Sequence, residues 1–180
     1  MKTTKKLTFS ALIVALGTVF MVLGAVFEAL DMTAAALASL LVAIVYVEVG
    51  SPYTFLVWIC TTITTALFYP ASAMWLMYLL LFGAFPIVKG YIERLSHPLW
   101  LPIKLLFGNA MMALIFLGTT FLLGIPMDTD LFGLPKGAVY LILIVLANIA
   151  LLLYDRFLTV LVRFYMIKMH PVLNKILKLR

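Results

Sequence analysis

The feature that most constrains this chain is the way its few charges divide it. Leu7 to Phe27 is 21 residues without a charge, and Thr33 to Val47 is a further run of 15. Val49 to Val88 is 40 uncharged residues, Leu105 to Met127 is 23 and Gly137 to Tyr154 is 18. A helix rises about 1.5 Å per residue, so about 20 apolar residues cross about 30 Å of hydrocarbon. The 40-residue run is too long for one crossing. Its natural break is Tyr69-Pro70-Ala71-Ser72, because proline disfavours helix at the residue before it. The count is six helices, at roughly 7–27, 32–50, 53–69, 71–92, 101–125 and 136–156. A transmembrane β-barrel would need segments of about ten residues alternating apolar and polar. These runs are apolar throughout. In lipid each backbone group must be bonded internally, which favours helices.

Composition agrees. The chain has 180 residues, 66% hydrophobic and 11% charged, against about 45–50% and 25% in soluble domains. A soluble domain and a disordered chain are both excluded. The fold class expected is an all-α integral membrane protein of the cell membrane, multi-pass. Residues 1–156 form the six-helix domain and residues 157–180 a basic tail at the cytoplasmic surface. Lys2, Lys5 and Lys6 before an apolar stretch resemble a signal peptide. That stretch exceeds the usual 7–15 residues, so a retained first helix is expected. No lipidation motif is visible at either end.

Lys and Arg concentrate on cytoplasmic segments. With the N-terminus inside, loop 4 carries Lys89, Arg94 and Lys104. The tail carries Arg156, Arg163, Lys168, Lys175, Lys178 and Arg180. Twelve of thirteen basic residues are then inside and only Lys136 is outside. The expected topology is N-in, C-in. Glu28, Asp31, Asp128 and Asp130 fall on the outer side. They either solvate loops or rim an outward-facing site that favours a cationic ligand.

Little catalytic chemistry is legible. There is no HExxH, P-loop, GxGxxG or GxSxG motif. His97 and His170 each precede a proline near the inner side. Cys60 lies mid-helix in Cys60-Thr61-Thr62-Ile63-Thr64-Thr65, where an apolar setting leaves a thiol inert. The long runs hold no ionisable group, which argues against a proton-coupled transporter or a charged-residue enzyme. No catalytic residue, metal site or cofactor is expected. Any active transport would take its ATPase from a partner, and no nucleic acid is expected as a ligand, since the charges lie against a bilayer.

Some polar and small residues do lie within the runs. Asn109 and Asn148, each roughly 10 Å above the inner boundary, are candidates for a hydrogen bond between helices 5 and 6. Ala11/Ala15 and Ala35/Ser39/Ala43 repeat small residues at four-residue spacing and allow close helix approach. Gly83, Pro86 and Gly90 can bend helix 4. Tyr69, Trp75, Tyr78 and Tyr140 gather toward the outer ends, as interfacial anchors or as walls for a small ring-containing ligand. Phe157, Leu158, Leu161, Phe164 and Tyr165, interleaved with Arg156, Arg163 and Lys168, suggest an amphipathic extension lying on the inner surface, against anionic lipid or a partner.

The opening Lys5-Lys6-Leu7-Thr8-Phe9-Ser10-Ala11-Leu12-Ile13-Val14-Ala15-Leu16, with six helices in 180 residues, resembles the start of substrate-binding S components of energy-coupling factor (ECF) transporters. The resemblance implies a non-catalytic subunit that binds a vitamin-like small molecule from outside. Its pocket would lie in the outer half among helices 4–6, capped by the loop after helix 1. Glu28, Asp31, Trp75, Tyr78, Asp128 and Tyr140 are the substrate-binding positions it suggests. Ala11 and Ala15 would face a transmembrane coupling subunit, and two cytoplasmic ATPases would supply energy. No substrate signature for riboflavin, thiamine, biotin or folate is present. The alternative is an MreD-like structural scaffold that binds protein partners at the cytoplasmic face. A lipid-handling enzyme or flippase is a third class, disfavoured by the lack of buried ionisable groups.

Overall fold

The computed structural model describes residues 3–124 and 136–170; Asp128, Asp130 and the tail from 171 onward lie outside them, as do the side chains of Glu28 and Lys136. The described residues are helical, with no strand among them. Six helices are long and apolar enough to cross a membrane. They are α1 (Thr3–Val26), α2 (Asp31–Glu48), α3 (Ser51–Phe68), α4 (Met74–Ile92), α5 (Trp100–Phe121) and α6 (Lys136–Phe164).

The breaks follow local chemistry. Gly50 adopts φ +100°, a left-handed conformation that side chains resist, and so lets the chain reverse between α2 and α3. Pro52 then sits in the first turn of α3, where its missing N–H costs no helical bond. After α3, Tyr69-Pro70-Ala71-Ser72 forms the expected break. Ser72 N donates to Tyr69 O at 3.2 Å and Trp75 Nε1 to Pro70 O at 3.0 Å. The helix resumes at Met74, three residues later than the sequence suggests.

α4 is irregular where Gly83, Pro86 and Gly90 lie. Tyr78–Phe82 is a π-helical turn, and Gly83 N donates back five residues to Tyr78 O at 2.7 Å. Pro86 has no N–H to offer the carbonyl of Phe82, four residues before it. The Tyr154 hydroxyl of α6, whose one proton is shared with the closer Ser39 Oγ, lies 3.2 Å from that carbonyl, and Trp58 Nε1 of α3 donates to Leu79 O at 3.1 Å. A Cβ on Gly83 would fall 2.4 Å from the Trp58 ring. The glycine is what lets that ring lie on the helix.

α2 is the central helix, with neighbours in α1, α3, α4 and α6. One core joins Ile13, Met21, Ala35, Ala38, Val42, Val57, Met74 and Tyr78 across α1–α4. A second joins Ala43, Leu81, Phe85, Ile115, Leu151 and Leu158 across α2 and α4–α6. Burial is uneven: 56% of the apolar window of α4 is buried, against 11% for α5 and for α6. α5 and α6 therefore form a flank with a wide exposed apolar surface. The Ala35/Ser39/Ala43 stripe is spent inside the bundle, with Ser39 fully buried and accepting a hydrogen bond from Tyr154. Ala11 and Ala15 are exposed on the outer side of α1.

α6 differs most from expectation. It runs without a break through Asp155 to Phe164 and on into a π turn, Tyr165–Met169. Its 33 residues from Gly137 to Met169 measure about 50 Å at about 1.5 Å per residue. Up to His170 the tail is a continuation of this helix. Leu158 and Tyr165 are buried against the rest of the chain, so this segment packs on its own bundle. The reason is that nothing between Asp155 and His170 breaks a helix; the first proline is Pro171.

Candidate functional site: a charged cluster at one end of the bundle

The helices alternate in direction, and contacts at one end join all six. Lys6 lies over the Tyr53 ring at 5.7 Å, tying α1 to α3. Ser51 and Tyr91 share a 2.9 Å hydrogen bond, and Arg94 donates to Tyr46 at 3.0 Å. Glu48 Oε1 accepts from the Tyr165 hydroxyl at 2.6 Å and lies 2.6 Å from His170 Nδ1, with its own side chain only 2% exposed. Thr3 and His170 are therefore at the same end, here called the basal end.

The densest polar feature at this end is a cluster of four ionised side chains from three helices. Lys89 and Glu93 lie one turn apart on α4, with Nζ and Oε1 3.2 Å apart. Lys104 comes from the first turns of α5, and Asp155 from α6. The Asp155 carboxylate bonds to both ammoniums. Lys104 Nζ donates to its two oxygens at 2.8 and 3.0 Å, and Lys89 Nζ donates to Oδ1. Lys89 also donates to Thr159 Oγ1 at 2.7 Å and to the Asp155 carbonyl at 3.0 Å. Lys104 reaches Glu93 at 3.3 Å. The two lysine side chains are 8% and 7% exposed.

Two cations and two carboxylates make the cluster neutral. That is the condition for burying ions at all, since an unpaired buried charge costs several kcal/mol. Each ammonium has three donors, and each is spoken for by oxygen acceptors. The cluster is thus a saturated clamp on α4, α5 and α6. Glu93, its side chain 36% exposed, is the member most open to solvent.

Two clefts flank it. One of about 190 Å³ lies between α2, α4 and α6 and is lined by Tyr46, Pro86, Gly90 and Val162 among others. The other, about 450 Å³, lies between the start of α5 and the basal half of α6. His97, Trp100, Leu101, Leu152, Arg156 and Arg163 line it, and Lys104, Asp155 and Thr159 form its floor.

Sequence alone groups Lys89 and Lys104 with the inner loop 4, at the ends of helices 71–92 and 101–125. The helix bounds hold closely, but both lysine side chains are buried between α4, α5 and α6 rather than turned to the inner surface. The cluster is not legible from sequence. Its signals are an i,i+4 Lys89/Glu93 pair and an acid directly after an 18-residue apolar run, and both also read as helix ends. The absence of ionisable groups holds for the long runs but not for the basal third of the bundle. The argument against lipid-handling chemistry loses that much of its basis.

The outer-site residues are at or toward the opposite end. Glu28 lies in a short 3-10 turn, Glu28–Leu30, and Asp31 starts α2, its carboxylate accepting from Met32 N. Trp75 is half-buried with its indole N–H on Pro70. Tyr140 is 41% exposed and packs edge-on to Phe116 at 6.4 Å. Tyr78 is fully buried in the core beside Thr61, and both hydroxyls lack a well-formed hydrogen bond. Asp128 lies outside the described residues. No hydrogen bond or ring contact joins any two of Asp31, Trp75, Tyr78 and Tyr140 among the described residues. The Asn109–Asn148 bond does form, reciprocally, at 2.9 and 3.0 Å.

No known protein family, curated protein or solved structure matches the chain.

Proposed function

We propose that this chain is a multi-pass cell-membrane subunit, N-in and C-in, that binds a vitamin-like small molecule from outside and works with an ECF-type coupling subunit and ATPases. It is not itself an enzyme. The observation that carries the reading is the exposure of Ala11 and Ala15. Two of the small-residue stripes in the chain are Ala11/Ala15 on α1 and Ala35/Ser39/Ala43 on α2. The one on α2 is consumed by internal packing, while the one on α1 is left on the surface. In lipid a smooth face is where a second helix approaches closely. The basic residues collected at the basal end support the proposed orientation.

The test has two arms. Purified protein is melted against a panel of vitamins and related micronutrients. One compound should stabilise it, by about 2.7 kcal/mol at 100 times its Kd. Ala11→Leu with Ala15→Leu should abolish copurification with a coexpressed coupling subunit and leave the ligand shift intact. No stabilising ligand together with unchanged copurification would sink the proposal.

The MreD-like scaffold reading is favoured by one feature, the clefts and charges at the basal end, where a cytoplasmic partner would bind. Under that reading the panel gives no shift.

A further inference from the structure

We propose that the cleft between α5 and α6 at the basal end is a binding site for the phosphate headgroup of an anionic phospholipid. The inference rests on the membrane reading but not on transport. It starts from which charges are already committed. Lys89 and Lys104 are held by Asp155 and Glu93. Arg156 and Arg163 are exposed at the same cleft and have no ion-pair partner among the described residues. The cleft and the cluster beneath it thus hold four cations (Lys89, Lys104, Arg156, Arg163) against two anions (Glu93, Asp155). The excess of two is carried by the two free guanidiniums.

Their placement suits a phosphodiester. Seven residues separate them, so they lie on one face of α6, two turns or about 10 Å apart. A guanidinium fork bonds phosphate oxygens in a bidentate manner, which an ammonium cannot do. Asp155 and Thr159 lie in the same stripe, and both are occupied by Lys89. They offer no competing partner to the arginines, and Glu93, which also lines the cleft, is held by Lys89 and Lys104 at 3.2 and 3.3 Å. The cleft volume of about 450 Å³ lies in the usual range for small-molecule sites.

The walls select a lipid over a soluble anion. Moving from Arg163 through Arg156 to Leu152 along α6, the lining changes from charged to apolar. Leu101 and Trp100 do the same on α5. The Trp100 indole N–H is engaged by the Leu95 carbonyl at 3.0 Å, which leaves the ring available for packing. Above the cleft, α5 and α6 continue as the exposed apolar flank, with Leu106, Ile149 and Leu153 on the surface. An acyl chain has a continuous apolar path from the headgroup site; inorganic phosphate gains nothing from it. Basic pockets between helices at the cytoplasmic side are a known form of headgroup site.

The full-length protein in neutral-detergent micelles would be titrated with phosphatidylglycerol, with phosphatidylcholine and with inorganic phosphate. Retained lipid and melting temperature are both read. Phosphatidylglycerol should be retained and raise the melting temperature; phosphatidylcholine and inorganic phosphate should do neither. Each arginine is worth about fivefold in apparent affinity at an anionic surface, so R156Q/R163Q should lose about 25-fold. K168Q, on the same helix but outside the cleft, should change affinity less than twofold. Both variants alter exposed side chains, and their melting temperatures without lipid should match the parent. A fivefold loss in K168Q, the same loss per charge as in R156Q/R163Q, would reduce the effect to diffuse surface charge and overturn the site. An equal response to inorganic phosphate would overturn the lipid assignment. No retention of phosphatidylglycerol by a chain that still fractionates with membranes would overturn this inference alone. Recovery of the chain in the soluble fraction would instead remove the membrane reading beneath it.

Discussion

Asp155 has the most to lose from a single change. Its carboxylate is shared by two nearly buried ammoniums from different helices. Asp155→Asn keeps the shape but leaves two cations facing one half-exposed carboxylate, Glu93. Breaking a buried pair from one side costs about 3–5 kcal/mol. The expected outcome is a loss of that order in reversible unfolding from detergent, recovered in part when Lys89→Met removes one of the stranded charges. Loss below about 1 kcal/mol would mean that water reaches the cluster freely. The Asn109–Asn148 pair is a milder case. Each amide also donates to its own helix, to Leu105 O and Ile144 O, both at 2.8 Å. The pair therefore satisfies its own donors and fixes register at an energy under about 1 kcal/mol. It was legible because two amides stood at similar depth on successive helices. The ion cluster was not, because Lys89 and Asp155 are 66 positions apart and each resembles an ordinary helix end.

At the scale of the element, α4 shows how a helix absorbs a proline. The π turn and the Gly83–Pro86 step leave backbone carbonyls that Trp58 and Tyr154 reach from two neighbouring helices. A local irregularity thereby becomes a cross-link between α3, α4 and α6. The irregular stretch was readable from Gly83, Pro86 and Gly90; which neighbours would answer it was not. Gly83→Ala tests the packing. Its Cβ would meet a rigid indole at 2.4 Å, whereas a Cβ on Gly17 meets a Thr61 methyl at 3.3 Å. Overpacking costs about 1–3 kcal/mol, and displacing Trp58 also removes its bond to Leu79. G83A should therefore melt well below G17A in the same detergent. Equal melting temperatures would show that the Trp58 contact is not tight.

For the whole molecule, the alternating helices collect the basic residues of the described chain at one end, with Lys136 at the other. A bilayer would read that asymmetry as orientation. In a Cys60→Ser background, Ser72→Cys should react with an impermeant maleimide in intact cells. Ser96→Cys should react only after permeabilisation. The reverse pattern would invert the topology and place the charged cluster and its clefts outside.

Charge-free runs by themselves determined the number of helices, their approximate ends and the grouping of basic residues. A helix crossing hydrocarbon must be apolar over a length set by the bilayer, and that length is visible in one dimension. Only the tertiary structure decided which faces meet. A helix apolar all round carries no stripe to distinguish its buried side, since lipid and protein interior are equally apolar. Ala11/Ala15 and Ala35/Ser39/Ala43 are the same pattern in sequence, yet one is exposed and the other buried. Likewise Lys89, Glu93, Lys104 and Asp155 become a neutral clamp only where the ends of α4 and α5 meet the interior of α6, because pairing depends on distances that separation along the chain does not record.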